Sequence, residues 1–356
     1  MKKIGQTSVA AARQSAVVSK VKNAAFSRKP LHILVTGGAG FIGSHLVERL
    51  LDDGKNIVVI DDFSTGSMEN LRAVKKNPRL KIVRAKISKC KELPKLAANA
   101  EFIFHLAATV GVDLVVKSAL HVLETSFHET EILLKAAAKN STPLLLTSTS
   151  EVYGKSAKPE FSEDDDLLIG PPGQSRWSYA CSKLTDEFLA LAYAREKNLP
   201  VTIARLFNTV GPKQTGRYGM VLPRFIAAAK KNEPLKVFGD GRQTRCFCLV
   251  NDVVEALVRL QDCRKARGEI FNIGGTEEVS MLELASLVVK TLGSKSKIEL
   301  IPYDKAYAPG FDDMRRRKPL VEKLERFVKF KPQTPLREII RLTAKQNCRM
   351  KSAKDF

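Results

Sequence analysis

The chain has 356 residues, 44% hydrophobic and 27% charged. These proportions suit one large folded α/β unit or two coupled ones and exclude disordered and fibrous classes. The net charge of +21 raises the expectation of an anionic ligand, but its distribution is uneven: residues 1–30 carry seven basic and no acidic side chains, 314–356 carry fourteen against four, and the remaining +4 belongs to 31–313. That distribution argues for solvated tails around an anion-binding stretch at Arg315-Arg316-Arg317-Lys318, and against a nucleic-acid-binding face.

Residues 1–30 lack the apolar core of a secretory signal and read as a basic, disordered extension of a cytoplasmic protein; an organelle transit peptide is the alternative, against which Lys outnumbers Arg five to two. From 31 onward short β-rich runs alternate with helical stretches: strands at 31–35, 57–60, 81–83, 102–105, 143–146 and 201–206, and helices at 41–53, 112–139 and 179–197. Strands separated by helices predict an α/β fold, a Rossmann-type doubly wound parallel sheet. After 206 the rhythm is interrupted by glycine turns, with helices at 222–231, 250–261 and 281–292, so 207–345 reads as a smaller substrate-binding part interleaved with the first, followed by a basic tail at 346–356. No run approaches the roughly 20 apolar residues of a membrane-spanning helix. The six cysteines form no C-x-x-C pair and read as reduced thiols, Cys246 and Cys248 on one strand face. The five histidines lack zinc-like spacing, so no metal is expected.

The glycine-rich segment Gly37-Gly38-Ala39-Gly40-Phe41-Ile42-Gly43 follows a strand and opens a helix, the context of a dinucleotide site. Gly37 permits the tight turn, Gly40 lets the backbone approach a pyrophosphate, Gly43 allows helix and strand to pack closely, and the N–H groups at Phe41 and Ile42 begin the phosphate-binding helix. Asp61 ends the second strand eighteen residues past Gly43. A carboxylate there accepts from ribose hydroxyls and repels a 2′-phosphate, so NAD is expected rather than NADP. Tyr179 and Lys183 lie at i and i+4 on one helix face, where an ammonium favours the phenolate of a general base. The segment from Thr149 through Ser150 and Glu151 brings hydroxyls and a carboxylate to the end of the fifth strand, in the crevice where such sheets bind ligands. Trp177 fits equally as a core anchor or a substrate contact.

With residues 205–212, 239–241, 243–245 and 317–319 added, the chain resembles the extended short-chain dehydrogenase/reductase family of NAD-dependent nucleotide-sugar epimerases, dehydratases and decarboxylases, from about 31 to 340. The resemblance implies that Thr149 hydrogen-bonds the sugar 4-hydroxyl, that Tyr179 removes its proton, and that Lys183 holds the nicotinamide ribose and lowers the tyrosine pKa. It implies a place near the nucleotide diphosphate for Asn208 and Arg245. Ser150 stands where a 4,6-dehydratase of the family has an aspartic acid, which disfavours dehydration. The Thr-Ser-Glu triplet and the later Arg317-Lys318-Pro319 look like those of UDP-glucuronate decarboxylases, in which Arg317 would pair with the uronate carboxylate and Glu151 would orient or exchange protons. For Arg317 a diphosphate contact or a surface charge is the competing role. A UDP-glucose or UDP-glucuronate 4-epimerase is the alternative, and a non-catalytic NAD-binding assembly subunit a remote one. Family members pair as homodimers through two long helices, here 112–139 and 179–197. Two departures stand out: Lys86 replaces an aspartate that would meet the adenine amine, and the loop at 215–220 differs from that of the decarboxylases.

Overall fold

Strands covered on both faces need continuous apolar runs instead of alternation, and the early strands of this chain have them. The computed structural model describes residues 31–108, 118–215, 220–302 and 314–346. The first part runs β1 (His32–Thr36), α1 (Phe41–Asp52), β2 (Ile57–Asp61), β3 (Leu80–Arg84), α2 (Leu93–Ala98), β4 (Ala100–His105), α3 (Ala119–Ala138), β5 (Leu144–Thr149), α4 (Trp177–Lys197) and β6 (Val201–Leu206). The second runs β7 (Thr209–Val210), α5 (Val221–Lys231), β8 (Leu235–Phe238), β9 (Thr244–Cys246), β10 (Cys248–Leu249), α6 (Val250–Asp262), β11 (Ile270–Ile273), β12 (Glu278–Ser280), α7 (Met281–Leu292), β13 (Ile298–Ile301), α8 (Glu322–Val328) and α9 (Leu336–Gln346).

Among the described residues, seven parallel strands form one sheet in the order β11-β6-β5-β4-β1-β2-β3. This is a Rossmann-type α/β fold, and strand order reverses between β1 and β4, so a crevice opens above their carboxyl ends. Successive side chains point to opposite faces. Ile33, Val35, Ile57, Val59 and Phe104 pack against Leu46, Val47 and Leu50 of α1 and Val253, Val254 and Leu257 of α6. Leu34, Val58, Ile60, Ile103 and Leu146 pack against α2 and against Leu133 and Leu134 of α3. Strand β11, from beyond residue 206, pairs with β6 and completes the sheet. The later elements have their own core, with Leu222, Phe225 and Ile226 of α5 against Leu284 and Val288 of α7 and Ile339 and Ile340 of α9.

Several predicted bounds move. The helix expected at 112–139 is described from Ala119, its first residues lying outside the described set, as do the extension 1–30, most of the loop 215–220 and the tail from 347. Cys246 and Cys248 do not share a strand: Cys246 ends β9, which pairs antiparallel with β12, and Cys248 begins β10, which pairs with β7. Both are free and buried. In the run at 315–318, expected as an anion-binding stretch, three of the four cations meet carboxylates of the chain itself. Arg316 pairs with Glu278 at 2.6 Å, Arg317 with Glu151 at 2.9 Å and Lys318 with Glu160 at 2.6 Å, so three carboxylates on separate segments take up its charge.

Candidate active site

The crevice is a cavity of about 1010 Å³ over the carboxyl ends of β1, β2, β4, β5 and β6. Gly37, Gly40, Phe41, Ile42, Gly43, Asp61, Thr149, Ser150, Glu151, Tyr179, Lys183, Asn208, Arg245 and Arg317 all line it, so every site residue expected from sequence is brought to one place. Trp177 packs instead with Val152, Tyr153 and Phe161. Its indole N–H donates to Gln174 Oε1 at 3.0 Å, which makes it a core anchor.

The cofactor end is built for close backbone approach. Gly37 has φ +72°, and a Cβ on it would lie 2.7 Å from the Ala107 nitrogen; a Cβ on Gly43 would lie 2.1 Å from the Gly37 oxygen. Neither position admits a side chain. No side chain caps the N-terminus of α1, so its first-turn N–H groups are available to a phosphate. Asp61 is buried, its Oδ2 accepting from the Ala39 N–H and its Oδ1 from the Phe63 N–H, each at 2.8 Å. Burial raises its pKa against those two bonds. A carboxylate has about four acceptor sites, so two remain for ribose hydroxyls. This cradle, bare helix end and carboxylate fit a nicotinamide dinucleotide. Lys86 also lines the cavity.

At the reacting end, α4 begins at Trp177, and Arg176, Tyr179, Lys183 and Asp186 recur at the spacing of one helix face. Tyr179 is raised well above an ordinary phenol by burial and by the Glu151 charge, while a hydrogen bond with Thr149 pulls the other way. Lys183 Nζ is paired with Asp186 Oδ2 at 3.0 Å, with both side chains buried. Glu151 lies in the 3₁₀ turn Ser150–Tyr153, and its N–H donates to Thr149 Oγ1 at 3.3 Å. Its Oε1 meets Arg317 Nη1 at 2.9 Å and its Oε2 meets Arg176 Nη2 at 3.6 Å. Burial would raise its pKa, but Arg317 and then Arg176 outweigh burial and hold it below the usual carboxylate value. Glu151 is therefore ionised at neutral pH between two buried guanidiniums. Arg245 adds a further positive charge; its Nη1 donates to the Thr244 carbonyl at 2.8 Å. Asn208 Nδ2 donates to the Cys246 carbonyl at 2.9 Å, which fixes its side chain on the cavity wall. Sequence reasoning missed Arg176 and Asp186, although their spacing from Tyr179 and Lys183, at i−3 and i+3, was the available signal.

Comparison with known proteins agrees with this geometry. The pattern of the NAD dependent epimerase/dehydratase family matches residues 33–274. The chain is 43% identical over 300 residues to a UDP-N-acetyl-alpha-D-glucosaminuronate decarboxylase of Bacillus cytotoxicus, covering 84% of this chain and 92% of that protein. It is 37% identical to UDP-glucuronic acid decarboxylase 4 of Arabidopsis thaliana, over 89% of this chain and 69% of that one. Among solved structures it is similar to a UDP-glucuronic acid 4-epimerase of Bacillus cereus in complex with UDP-glucuronic acid and NAD, with a TM-score of 0.79 and 29% identity, covering 89% of this chain and 98% of that chain. With the match spanning most of the sheet and of the cavity over its carboxyl ends, the chain belongs to the NAD-dependent epimerase/dehydratase family.

Proposed function

We propose that the protein is an NAD-dependent decarboxylase of a UDP-linked hexuronate. The observation that carries this reading is Glu151 between Arg317 and Arg176 beside the Thr149–Tyr179 pair. Arg317 and Arg176 bring two guanidiniums to Glu151 in the cavity, where a substrate carboxylate can approach the same groups. That carboxylate then shares its guanidiniums with an ionised Glu151, a repulsion relieved when neutral carbon dioxide leaves. A neutral hexose would gain nothing from the arrangement. Ser150 stands where a carboxylic acid would protonate a departing C6 hydroxyl.

Held at the Gly37–Gly43 cradle and by Asp61, NAD would supply the hydride acceptor and donor for sugar C4. Thr149 holds the 4-hydroxyl and Tyr179 Oη takes its proton. Arg317 and Arg176 hold the C5 carboxylate. With C4 a ketone, the C5–carboxylate bond breaks; its electron pair passes through the C4–C5 bond to the 4-oxygen, and carbon dioxide departs. C5 then takes a proton from water oriented by Glu151, which regenerates the ketone. After hydride returns to C4, Tyr179 gives its proton back to the 4-oxygen. Arg245 and Asn208 serve the diphosphate. The same clamp would hold a uronate in a 4-epimerase, so the product decides the matter. UDP-glucuronate labelled with carbon-13 at C6, incubated with protein and NAD, is expected to release labelled bicarbonate; retention of all label in nucleotide sugar refutes decarboxylation.

The same reading makes the protein a homodimer. Leu120, Leu123 and Phe127 of α3 are exposed, as is Phe188 of α4, and the two helices pack side by side. Exposed apolar patches of this kind mark association surfaces.

A further inference from the structure

The ion pair of Arg317 and Glu151 joins residues 166 positions apart, and a buried polar cluster that does not line the cavity lies behind both of them. Arg205 of β6 holds Glu187 of α4 with its Nε and Nη2, at 3.1 and 2.8 Å, and its Nη1 donates to Tyr153 Oη at 3.0 Å. A guanidinium has no acceptor, so Tyr153 Oη accepts there and must direct its own proton elsewhere. It donates to Asn272 Oδ1 of β11 at 2.8 Å. That bond decides which way the Asn272 amide faces and turns Nδ2 toward two carbonyls, Phe161 at 2.9 Å and Leu320 at 3.3 Å. Tyr153 and Asn272 are both fully enclosed. The segments gathered by this amide are the ones that carry the ion pair. Tyr153 ends the 3₁₀ turn Ser150–Tyr153, two residues after Glu151. Phe161 lies beside Pro319: its N–H donates to the Lys318 carbonyl at 2.8 Å, and the Leu320 N–H donates to the Phe161 carbonyl at 2.9 Å. Arg317 immediately precedes Lys318.

We propose that Asn272 is a positioning residue that sets Arg317 against Glu151, by tying the turn after β5 to the segment at 317–320. Its bearing on substrate rests on the reading of Arg317 and Arg176 as the uronate clamp. Asn272 touches neither of the paired side chains and acts through the backbone on each side of them. A bond made at 2.9 Å is lost when one partner moves away by about 1 Å, so the place of the 317–320 backbone decides whether the pair forms. Replacing the amide by an apolar group of similar size leaves the Leu320 carbonyl and the Tyr153 hydroxyl short of a buried partner, and the two segments are then free to relax apart.

The test reads the ion pair itself and needs no substrate. Arg317→Met and Glu151→Gln, made singly and together, form a double-mutant cycle in urea unfolding, and in the unaltered protein their effects are expected to be non-additive. In an Asn272→Leu background they are expected to become additive, because the pair is no longer made. Tyr153→Phe removes the hydroxyl that orients the amide and gives a milder background should Asn272→Leu not fold; the non-additivity is expected to shrink there as well. Thr142→Val removes the buried bond from Thr142 Oγ1 to the Ala97 carbonyl, ahead of β5 and away from both segments, and controls for destabilisation alone. It is expected to keep the full coupling. Coupling that persists in the Asn272 and Tyr153 backgrounds, or that is lost equally with Thr142→Val, overturns the proposal. Calorimetry of the NAD-loaded proteins carries the result to the ligand: Asn272→Leu is expected to bind UDP-glucuronate about tenfold more weakly, the lower end of what a charge-assisted hydrogen bond contributes, with UDP-glucose unchanged. A failure of the uronate reading would appear separately, as an unaltered protein that binds the two nucleotide sugars alike, while the unfolding cycle still decides the role of Asn272.

Discussion

Replacing Arg317 by methionine separates a uronate clamp from a general anion site. The Arg317–Glu151 pair is 9% and 15% exposed, and Glu151 retains Arg176 at 3.6 Å after the substitution. Breaking a fully buried pair costs about 3–5 kcal/mol. With a second guanidinium left in place, the stability loss should be smaller, about 1–2 kcal/mol, and a urea titration would measure it. The effect on ligand is selective. A charge-assisted hydrogen bond to the uronate is worth about 1.5–3 kcal/mol. UDP-glucuronate should therefore bind about ten- to a hundredfold more weakly, at 1.36 kcal/mol per tenfold, with UDP-glucose affinity unchanged. Glu151→Gln should act in the opposite sense on binding: the uronate no longer shares its guanidiniums with an anion, so it binds at least as tightly, while turnover falls about tenfold or more as 1–5 kcal/mol of ground-state destabilisation is lost. Calorimetric titration of both ligands into the NAD-loaded variants measures the affinities. Equal losses for uronate and hexose in Arg317→Met would refute the clamp.

Further outcomes follow from other parts of the site. Gly43→Ala places a Cβ 2.1 Å from the Gly37 oxygen, so the loop must shift and NAD retention, measured on extracted nucleotide, should fall at least tenfold. His105 is held neutral, its pKa pushed to about 3 from an unfolded value near 6.5, so the unfolded chain binds an extra proton between those limits. Stability should therefore drop by about 1.4 kcal/mol per pH unit as pH falls through that window. His105→Gln removes this slope, and urea midpoints that decline equally in both proteins from pH 6 to 4 would contradict the assignment. Phe127→Glu combined with Phe188→Glu puts charge into the exposed apolar patch of α3 and α4 and should give a monomer in sedimentation; an undisturbed dimer would place the interface elsewhere.

The parts of the site legible in sequence were those whose chemistry depends on local spacing. Gly37 and Gly43 announce themselves because the turn and the helix–strand approach exclude a Cβ, and Asp61 because it ends the next strand. Tyr179 and Lys183 were visible as neighbours on one helix face. What spacing cannot supply is the partner from a distant segment. Arg317 reaches Glu151 across 166 positions, and nothing in the run Arg315-Arg316-Arg317-Lys318 says which cation turns inward. The structure decides it through Arg316–Glu278 and Lys318–Glu160, which hold the flanking charges at other carboxylates. Arg176 and Asp186 could have been found as members of the same helix stripe. A charged residue on a helix usually marks a solvated face, however, and only the packing of α3 against α4 shows that Asp186 is enclosed. The short α2 and α8, of six and seven residues, carry too few turns for periodicity to register, and the break between β9 and β10 at Phe247 has no glycine or proline to mark it.

The most direct test of the central claim is chromatography with mass spectrometry of the nucleotide sugars formed when the NAD-loaded protein is incubated with UDP-glucuronate and, separately, with UDP-N-acetylglucosaminuronate. The account predicts a UDP-pentose or its acetamido counterpart, lighter than the substrate by the elements of carbon dioxide. A product of unchanged mass and altered retention from both uronates would make the protein a 4-epimerase and contradict the role given to Glu151 between its two arginines.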